Sequence, residues 1–251
     1  MSDLIELDPF RRFRDVTRAR IGLGRTGDAI PTKAVLDFQL AHARARDAVH
    51  GQVDFAAMAA RLAPLEVLEL RSRAGDRMTY LSRPDLGREL DPASLENVSE
   101  GPFDVAFVIA DGLSASAVEA HAEAVLKASL ALLGDVSVAP IILAEQARVA
   151  FGDEAAEVLG ARLVVVLVGE RPGLTTPSSL GAYLTYGPRK GRLDSERNCI
   201  SNIHDDGLSH EAAAHKIAWI VCEALRLKLT GVALKENSPE AGLLIDGSDS
   251  D

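Results

Sequence analysis

Two continuous apolar runs constrain the fold of this chain more than any other feature of its sequence. FDVAFVIA at 103–110 and RLVVVLVG at 162–169 show no apolar–polar alternation, and helix-forming stretches separate them from further apolar segments. Such runs are typical of strands that are buried on both faces. With DVSVAPIILA (135–144) and LGAYLTYGP (180–188), they predict a doubly wound α/β domain with a mostly parallel sheet and right-handed crossovers.

Sheets of this kind bind ligands outside the carboxyl ends of their strands. Three loops therefore become candidates for one shared edge, namely ADGLSAS (110–116), EQARVAFGD (145–153) and GERPGL (169–174). Ser114 is the predicted N-cap of the helix after the first loop. Glu170 lies at the end of an apolar strand, where its carboxylate can accept hydrogen bonds from a ligand. Pairing with Arg171 or capping a neighbouring helix explains Glu170 equally well.

The first 92 residues differ from the rest. RRFRDVTRARIGLGRTGD (11–28) is basic, and KAVLDFQLAHARARDAVHG (33–51) predicts an amphipathic helix that Thr32 opens and Gly51 ends. The stretch at 64–90 predicts two short extended pieces around an AGD turn. We therefore expect an N-terminal, mainly helical docking segment over 1–92, an α/β domain over 93–236 and an acidic, disordered tail over 237–251.

Charge and composition exclude several classes of protein. A net charge of -10 argues against a general nucleic-acid binder, and the positive charge gathers in the first part of the chain, which suggests a docking surface for an acidic or anionic partner. Arg18, Arg20 and Arg25 belong to that surface. The absence of a long apolar run excludes a membrane span, and two cysteines without a leader predict a soluble protein of a reducing cytosol.

GLGRTG at 22–27 matches the spacing G-x-G-x-x-G of dinucleotide-binding turns. In such sites a strand precedes the first glycine and a helix follows the last. Here RDVTRARI, which carries four charges, precedes Gly22, and Pro31 delays the helix. We therefore interpret the glycines as a basic turn on the docking surface.

ERNCISNIHDDGLSHEAAAH (196–215) gathers Cys199, His204 and His210. Structural zinc needs four ligands, and the stretch offers no paired C-x-x-C, which argues against a metal site. A cysteine nucleophile needs a base and an electropositive setting, whereas Asp205 and Asp206 would raise the thiol pKa if they approach it. We interpret Cys199 as a reduced cysteine that lines a pocket.

NIHDDG (202–207) resembles the D-x-H-x-x-G signature by which one group of cobalamin proteins supplies a histidine to cobalt. Asn202 replaces the aspartate that orients this histidine, and the motif follows a late strand of the sheet instead of the first. We therefore do not assign His204 as a cobalt ligand. Arg83, Asp85 and Arg88 are interpreted as a subunit contact or an internal ion-pair network.

Six motifs together resemble one family, the small subunit of ethanolamine ammonia-lyase. They are RARIGLGRTG with AVLDFQLAHARARDAV, YLSRPDLGREL, VIADGLSASAVEAHA, VVVLVGERPGL, YLTYGPR and RNCISNIHDDGLSHEAA. The resemblance extends from about residue 10 to 235. It implies a Rossmann-like fold and an adenosylcobalamin-dependent lyase that converts ethanolamine to acetaldehyde and ammonia by radical chemistry.

The resemblance also implies a partner and a site. The large subunit holds the substrate, several copies of each subunit assemble, and the small subunit holds the cofactor at their interface and is inactive alone. The family's cobalamin contacts fall on Val149, Glu170 and Cys199 of this sequence, with no metal ligand in this chain. Some members carry an N-terminal extension that directs them into a bacterial microcompartment; this chain begins close to the matching core, so we expect a cytoplasmic location.

Two alternatives remain beside this interpretation. A non-catalytic or regulatory α/β protein would use the same crevice for a nucleotide or another small ligand. An independent hydrolase is disfavoured because no nucleophile with an evident base stands out.

Overall fold

A computed structural model describes residues 10–95, 98 and 100–235. The described strands form one six-stranded sheet in the order β1-β3-β2-β4-β5-β6. Their bounds are β1 Val67–Arg71, β2 Val105–Ala110, β3 Ile141–Glu145, β4 Leu163–Gly169, β5 Leu180–Tyr186 and β6 Asn198–Ile203. The helices are α1 Arg11–Arg14, α2 Thr32–His50, α3 Phe55–Leu62, α4 Arg77–Ser82, α5 Ala115–Ala117, α6 Glu123–Leu132, α7 Phe151–Val158 and α8 His210–Leu227. The predicted tail at 237–251 lies outside the described residues.

Each central strand contributes to two hydrophobic cores. Along β2, Phe107 and Ile109 face a core that α3, α6 and α8 cover, whereas Val108 and Ala110 face a second core that α7 covers. This alternation follows from the period of two in a strand, and it explains why 103–110 is apolar throughout. The prediction of strands buried on both faces is confirmed.

The sheet is mixed, so the fold-class prediction is confirmed only as α/β. Pairings β1–β3, β2–β3 and β2–β4 are parallel, whereas β4–β5 and β5–β6 are antiparallel. A parallel connection needs a crossover of a dozen residues or more, usually through a helix. Residues 170–179 form no helix and 187–197 form only one short 3-10 turn, so the chain reverses at each connection: β5 runs opposite to β4, and β6 returns to the direction of β4. Among the described strands β5 alone runs against the others, and in this mixed sheet the doubly wound, Rossmann-like fold is not confirmed.

The stretch at 64–90 forms one strand and one helix instead of two extended pieces. Val67–Arg71 is β1, which pairs with β3 and so adds a strand from the first 92 residues to the sheet. Residues after the AGD turn form α4, because the Asp76 carboxylate accepts hydrogen bonds from the backbone N–H of Thr79 (2.9 Å) and from its hydroxyl (2.8 Å). Asp76 is thus an N-cap that the sequence interpretation missed.

Helix α2 has the predicted bounds, but its apolar residues are largely exposed. Within Thr32–His50, Ala48 is the buried residue. Leu36 is 56% exposed and Leu40 is 52% exposed, and they lie one turn apart on one face. An exposed apolar stripe on a helix is typical of an interaction surface.

Capping of the helical stretch after β2 follows the prediction. The Ser114 hydroxyl accepts a hydrogen bond from the Ala117 N–H (3.2 Å), and Ser209 caps α8 in the same way through Ala212 (3.2 Å). A π-helical turn at Val118–Ala122 joins α5 to α6. None of the helices in the described ranges has the length and apolar character needed to cross a membrane.

Candidate functional site

The three loops at the carboxyl ends of β2, β3 and β4 meet at one edge of the sheet, as predicted. The Leu113 N–H donates to the Gly169 carbonyl (2.9 Å), which joins the first loop to the third. The Asp111 carboxylate accepts from the backbone N–H groups of Gln146 (3.0 Å) and Ala147 (3.1 Å), which joins the first loop to the second.

Two adjoining cavities open beside these loops. The first has a volume of about 420 Å³ and includes Val149, Glu170 and Tyr183 in its wall, and the second, of about 300 Å³, includes Val149, Tyr183 and Cys199. The side chains of Arg148, Val149 and Tyr183 line both. Val149, Glu170 and Cys199, which come from separate parts of the sequence, therefore lie along one continuous surface.

Glu170 is held in place by residues at the sheet edge. Its Oε2 accepts from the Ser179 hydroxyl (2.5 Å) and from the Asn202 N–H (3.4 Å). The carboxylate lies over Gly181, where an added Cβ would come within 3.0 Å of Oε1. The neighbouring Arg171 is not among these partners. Glu170 thus connects the end of β4 with the start of β5 and the end of β6 while lining the first cavity.

Cys199 and Tyr183 are cross-strand neighbours on β6 and β5. Desolvation, the Cys199 thiol and the Glu170 carboxylate raise the pKa of the Tyr183 hydroxyl. Desolvation at the cavity wall raises the pKa of the Cys199 thiol, and Glu170 adds to this effect. Asp205 and Asp206, which the sequence suggested could raise the thiol pKa, are not among the causes of this shift. Cys199 is therefore a neutral thiol in a wall and a poor nucleophile.

Tyr80 lies between two guanidinium groups behind the first cavity. The Arg77 guanidinium carbon is 4.8 Å from the centre of the Tyr80 ring and that of Arg148 is 4.6 Å from it. Burial raises the pKa of the Tyr80 hydroxyl to about 12. Arg77 Nη2 and Arg148 Nε are buried and have no hydrogen-bond partner among the described residues. Arg148 thus brings a cation to the wall of both cavities, while its Nε stays buried behind that wall.

A buried ion pair supports the second cavity. Arg197 Nη1 donates to Asp153 Oδ1 (2.7 Å) and to the Thr185 hydroxyl (2.9 Å), and both ionised side chains are 2% exposed. Arg197 directly precedes β6, and Asp153 lies on α7. The pair therefore holds the strand that carries Cys199 against the helix that follows Val149.

His204 and His210 of the 196–215 stretch have separate partners. The His204 Nε2 lies 2.9 Å from Asn202 Oδ1, and its Nδ1 accepts from the Asp206 N–H (3.3 Å). His210 Nε2 lies 2.9 Å from His121 Nδ1. Asn202 adopts a left-handed conformation with φ of 66°, which closes this turn on itself. Across residues 10–95, 98 and 100–235, no three His, Cys, Asp or Glu side chains form a metal-binding group.

The remaining sequence candidates lie on the surface. Gly22, Gly24 and Gly27 have positive φ in an irregular segment without a preceding strand, as the docking interpretation requires. Arg18 pairs with Asp206 (2.6 Å), Arg20 lies over the Phe38 ring at 5.8 Å, and Arg25 is exposed. Arg83 pairs with Asp85 (2.6 Å), as expected for the predicted internal ion pair. Arg88 lines the second cavity.

Sequence interpretation missed Arg148, Tyr183 and Tyr80 as cavity residues. Arg148 precedes Val149 in a loop that the strand-end rule had already selected, so a usable signal existed. Tyr183 reaches the site only because β5 is antiparallel, and Tyr80 only because 77–82 is helical. The lining offers a carboxylate, a guanidinium, a tyrosine hydroxyl and apolar surface, an arrangement suited to binding a large polar ligand.

Comparisons with known proteins agree on one family. The model of the ethanolamine ammonia-lyase light chain (EutC) matches residues 7–235. The ethanolamine ammonia-lyase small subunit of Rhodopseudomonas palustris is 55% identical over 235 residues, which cover 91% of this chain and 90% of that protein. The small subunit of Bradyrhizobium diazoefficiens is 52% identical over 240 residues, with 92% of each chain covered.

Proposed function

Because the chain belongs to the family of ethanolamine ammonia-lyase small subunits, we propose that it forms one wall of an adenosylcobalamin site at the interface with a large subunit. The assembled enzyme then converts ethanolamine to acetaldehyde and ammonia. The observation that carries this proposal is the continuous surface along which Val149, Glu170 and Cys199 line two adjoining cavities.

The size and chemistry of this surface suit one half of a corrin-binding site, which another subunit would complete. A corrin with its nucleotide is larger than either cavity of about 420 and 300 Å³, and both cavities are open to solvent. The corrin rim carries amide groups, which donate to carboxylates and accept from cations. Glu170 supplies the acceptor, and the guanidinium of Arg148, which lines both cavities, supplies the cation.

In this proposal the residues of this chain bind and orient the cofactor, and the reaction takes place in the large subunit. When bound, the cofactor supplies the radical chemistry of the lyase. Glu170 orients the rim through a carboxylate that Ser179 already fixes, while Val149 and Cys199 exclude water from the apolar part of the wall. The high pKa of the Cys199 thiol keeps it protonated, which avoids a thiolate beside the cofactor. We therefore expect the chain alone to release no ammonia from ethanolamine.

Glu170→Ala is expected to weaken corrin binding about 10- to 100-fold, because it removes a charged hydrogen-bond acceptor. The measurement is an absorbance titration of adenosylcobalamin on this chain co-purified with its large subunit. Glu223→Ala is the control, since Glu223 lies on α8 and pairs with Arg226 outside the cavities. An unchanged adenosylcobalamin affinity in Glu170→Ala would show that Glu170 does not contact the cofactor. Normal corrin binding by the large subunit alone would contradict the proposed role of this chain.

The N-terminal segment is proposed to dock on the large subunit. Its surface, which we call the N-terminal face, combines exposed apolar side chains with basic ones. The apolar members are Phe10, Phe13, Val16, Leu23, Ile30, Leu36, Phe38 and Leu40. Arg20 and Arg44 border a cavity of about 370 Å³ between this face and the 174–177 loop. Apolar contact with a basic rim fits a partner surface that is acidic at its edge.

Leu36→Glu combined with Leu40→Glu is expected to weaken subunit association at least about tenfold, because two charges would enter an apolar contact. The free chain should keep its thermal stability, since both side chains are more than half exposed. Analytical ultracentrifugation with the large subunit measures the effect. Leu193→Glu with Val232→Glu is the matched control, because these exposed side chains lie outside the N-terminal face. Association that only the control pair disrupts would show that docking uses another surface.

A further inference from the structure

The loop that carries Arg148 and Val149 has no regular secondary structure, yet the backbone groups of Gln146, Ala147 and Arg148 all have partners. Gln146 donates to Asp111 and accepts from the Ser72 hydroxyl (2.6 Å). Ala147 donates to Asp111 and accepts from the Tyr80 hydroxyl (3.4 Å). The Arg148 N–H donates to the Gly87 carbonyl (2.8 Å), and its own carbonyl accepts from the Phe151 N–H (2.9 Å). The loop is therefore fixed before any ligand arrives.

Asp111 contributes most to this arrangement. Both of its carboxylate oxygens accept a backbone N–H of the loop, and the residue is 3% exposed. It also faces Arg77, whose Nη1 lies 3.5 Å from Asp111 Oδ2 and donates to the Gly112 carbonyl (2.8 Å). Gln146 has a φ of 52°, a left-handed conformation that a residue with a side chain seldom adopts. Two N–H groups on one carboxylate hold that conformation.

We propose that Asp111 is a positioning residue for the cofactor site, which sets the 146–149 loop so that Arg148 and Val149 face the two cavities. This inference rests on the proposed function, and it assigns a role to a residue that does not line either cavity. An uncharged carboxyl cannot perform this role in full, since protonation turns one acceptor oxygen into a donor that faces an N–H group.

The role has a pH signature. Desolvation raises the pKa of Asp111 to about 6, against the lowering effects of Arg77 and of the loop N–H groups. Arg77 and Tyr80 are the charged and titratable side chains that act on it. The N–H groups of Gln146 and Ala147 favour the ionised form of Asp111, so its protonation as the pH falls from about 7 to about 5 weakens these two hydrogen bonds, and the loop should loosen while Asp111 stays buried. Corrin affinity in the wild type should fall over the same window.

Asp111→Asn is the test, because the amide keeps the shape and replaces one acceptor oxygen with a donor. We expect adenosylcobalamin to bind the assembled enzyme about tenfold more weakly at neutral pH. The component of the pH profile between about pH 5 and pH 7 that belongs to Asp111 should disappear. Amide hydrogen exchange at Gln146 and Ala147 should accelerate at least about tenfold in the cofactor-free complex. Asp104→Asn is the matched control, because Asp104 precedes the same strand at its opposite end and binds Arg162 (2.8 Å).

A second variant keeps the proposal testable if Asp111→Asn does not assemble. Ser72→Ala removes the hydroxyl that holds the Gln146 carbonyl without introducing a buried donor, and it should weaken corrin binding about threefold or more. If the assembled variant leaves both the corrin affinity and the amide hydrogen exchange of the 146–149 loop unchanged, the positioning role is overturned. The proposal of a cofactor site would still stand. Absence of corrin binding in the wild-type complex would instead contradict the proposed function, and the exchange measurement would still decide whether Asp111 holds the loop.

Discussion

Asp153→Ala is expected to lower the free energy of unfolding by about 3–5 kcal/mol, because it leaves the Arg197 guanidinium buried without its partner. The two side chains are 2.7 Å apart and 2% exposed, so solvent cannot replace the lost carboxylate. The Thr185 hydroxyl and the Arg192 carbonyl remain as uncharged acceptors, and the one remaining carboxylate, Asp194, is 3.4 Å from Arg197 Nε and largely exposed to solvent. Chemical denaturation of the purified chain, followed by circular dichroism, measures the loss.

Two further variants separate the buried charge from simple loss of contacts. Replacing both partners, as Asp153→Ala with Arg197→Met, should recover a substantial part of the stability, since no unpaired charge remains. Glu223→Ala breaks the exposed Glu223–Arg226 pair and should change stability by about 1 kcal/mol or less. A double variant as unstable as Asp153→Ala would show that packing, and not the orphaned charge, dominates.

Gly112→Ala is expected to lower the free energy of unfolding by about 2–5 kcal/mol and to weaken corrin binding, because a Cβ at this position would enter the contact between two strand-end loops. Gly112 has a φ of 58°, and the added Cβ would lie 2.4 Å from the Gly169 carbonyl oxygen. That oxygen accepts the Leu113 N–H, so any displacement moves the wall that carries Glu170. Denaturation and corrin titration on the same preparation test both effects.

Gly75→Ala is the matched control for this change. Gly75 has a similar φ of 70°, but a Cβ there would meet nothing within 4 Å. Its substitution should cost only the conformational penalty of about 1–2 kcal/mol and leave corrin affinity unchanged. Equal losses in the two variants would mean that the close approach of Gly112 to Gly169 does not matter.

The candidate site was predictable where it depended on strand ends. The apolar runs before Asp111 and Glu170 locate the carboxyl ends of β2 and β4, and these ends must lie together when neighbouring strands are parallel. The residue pattern placed Val149 in a strand-end loop and Cys199 in a pocket wall, but their role as cofactor contacts came from the family resemblance, because no local pattern marks a valine or a neutral thiol as a contact. The network of Asp111, Arg77 and Tyr80 could not be predicted, since hydrogen bonds between residues 35 and 68 positions apart leave no periodicity in the sequence.

Sequence by itself determined the α/β class, the buried central strands, the bounds of α2, and the edge where the loops meet. These depend on local apolar patterns and capping residues, whose effects extend over a few residues. Tertiary structure alone decided that β5 runs antiparallel to both of its neighbours, that 77–82 is a helix and that the apolar stripe of α2 is exposed. Strand direction and burial depend on which surfaces pack together, and several packings satisfy the same apolar pattern.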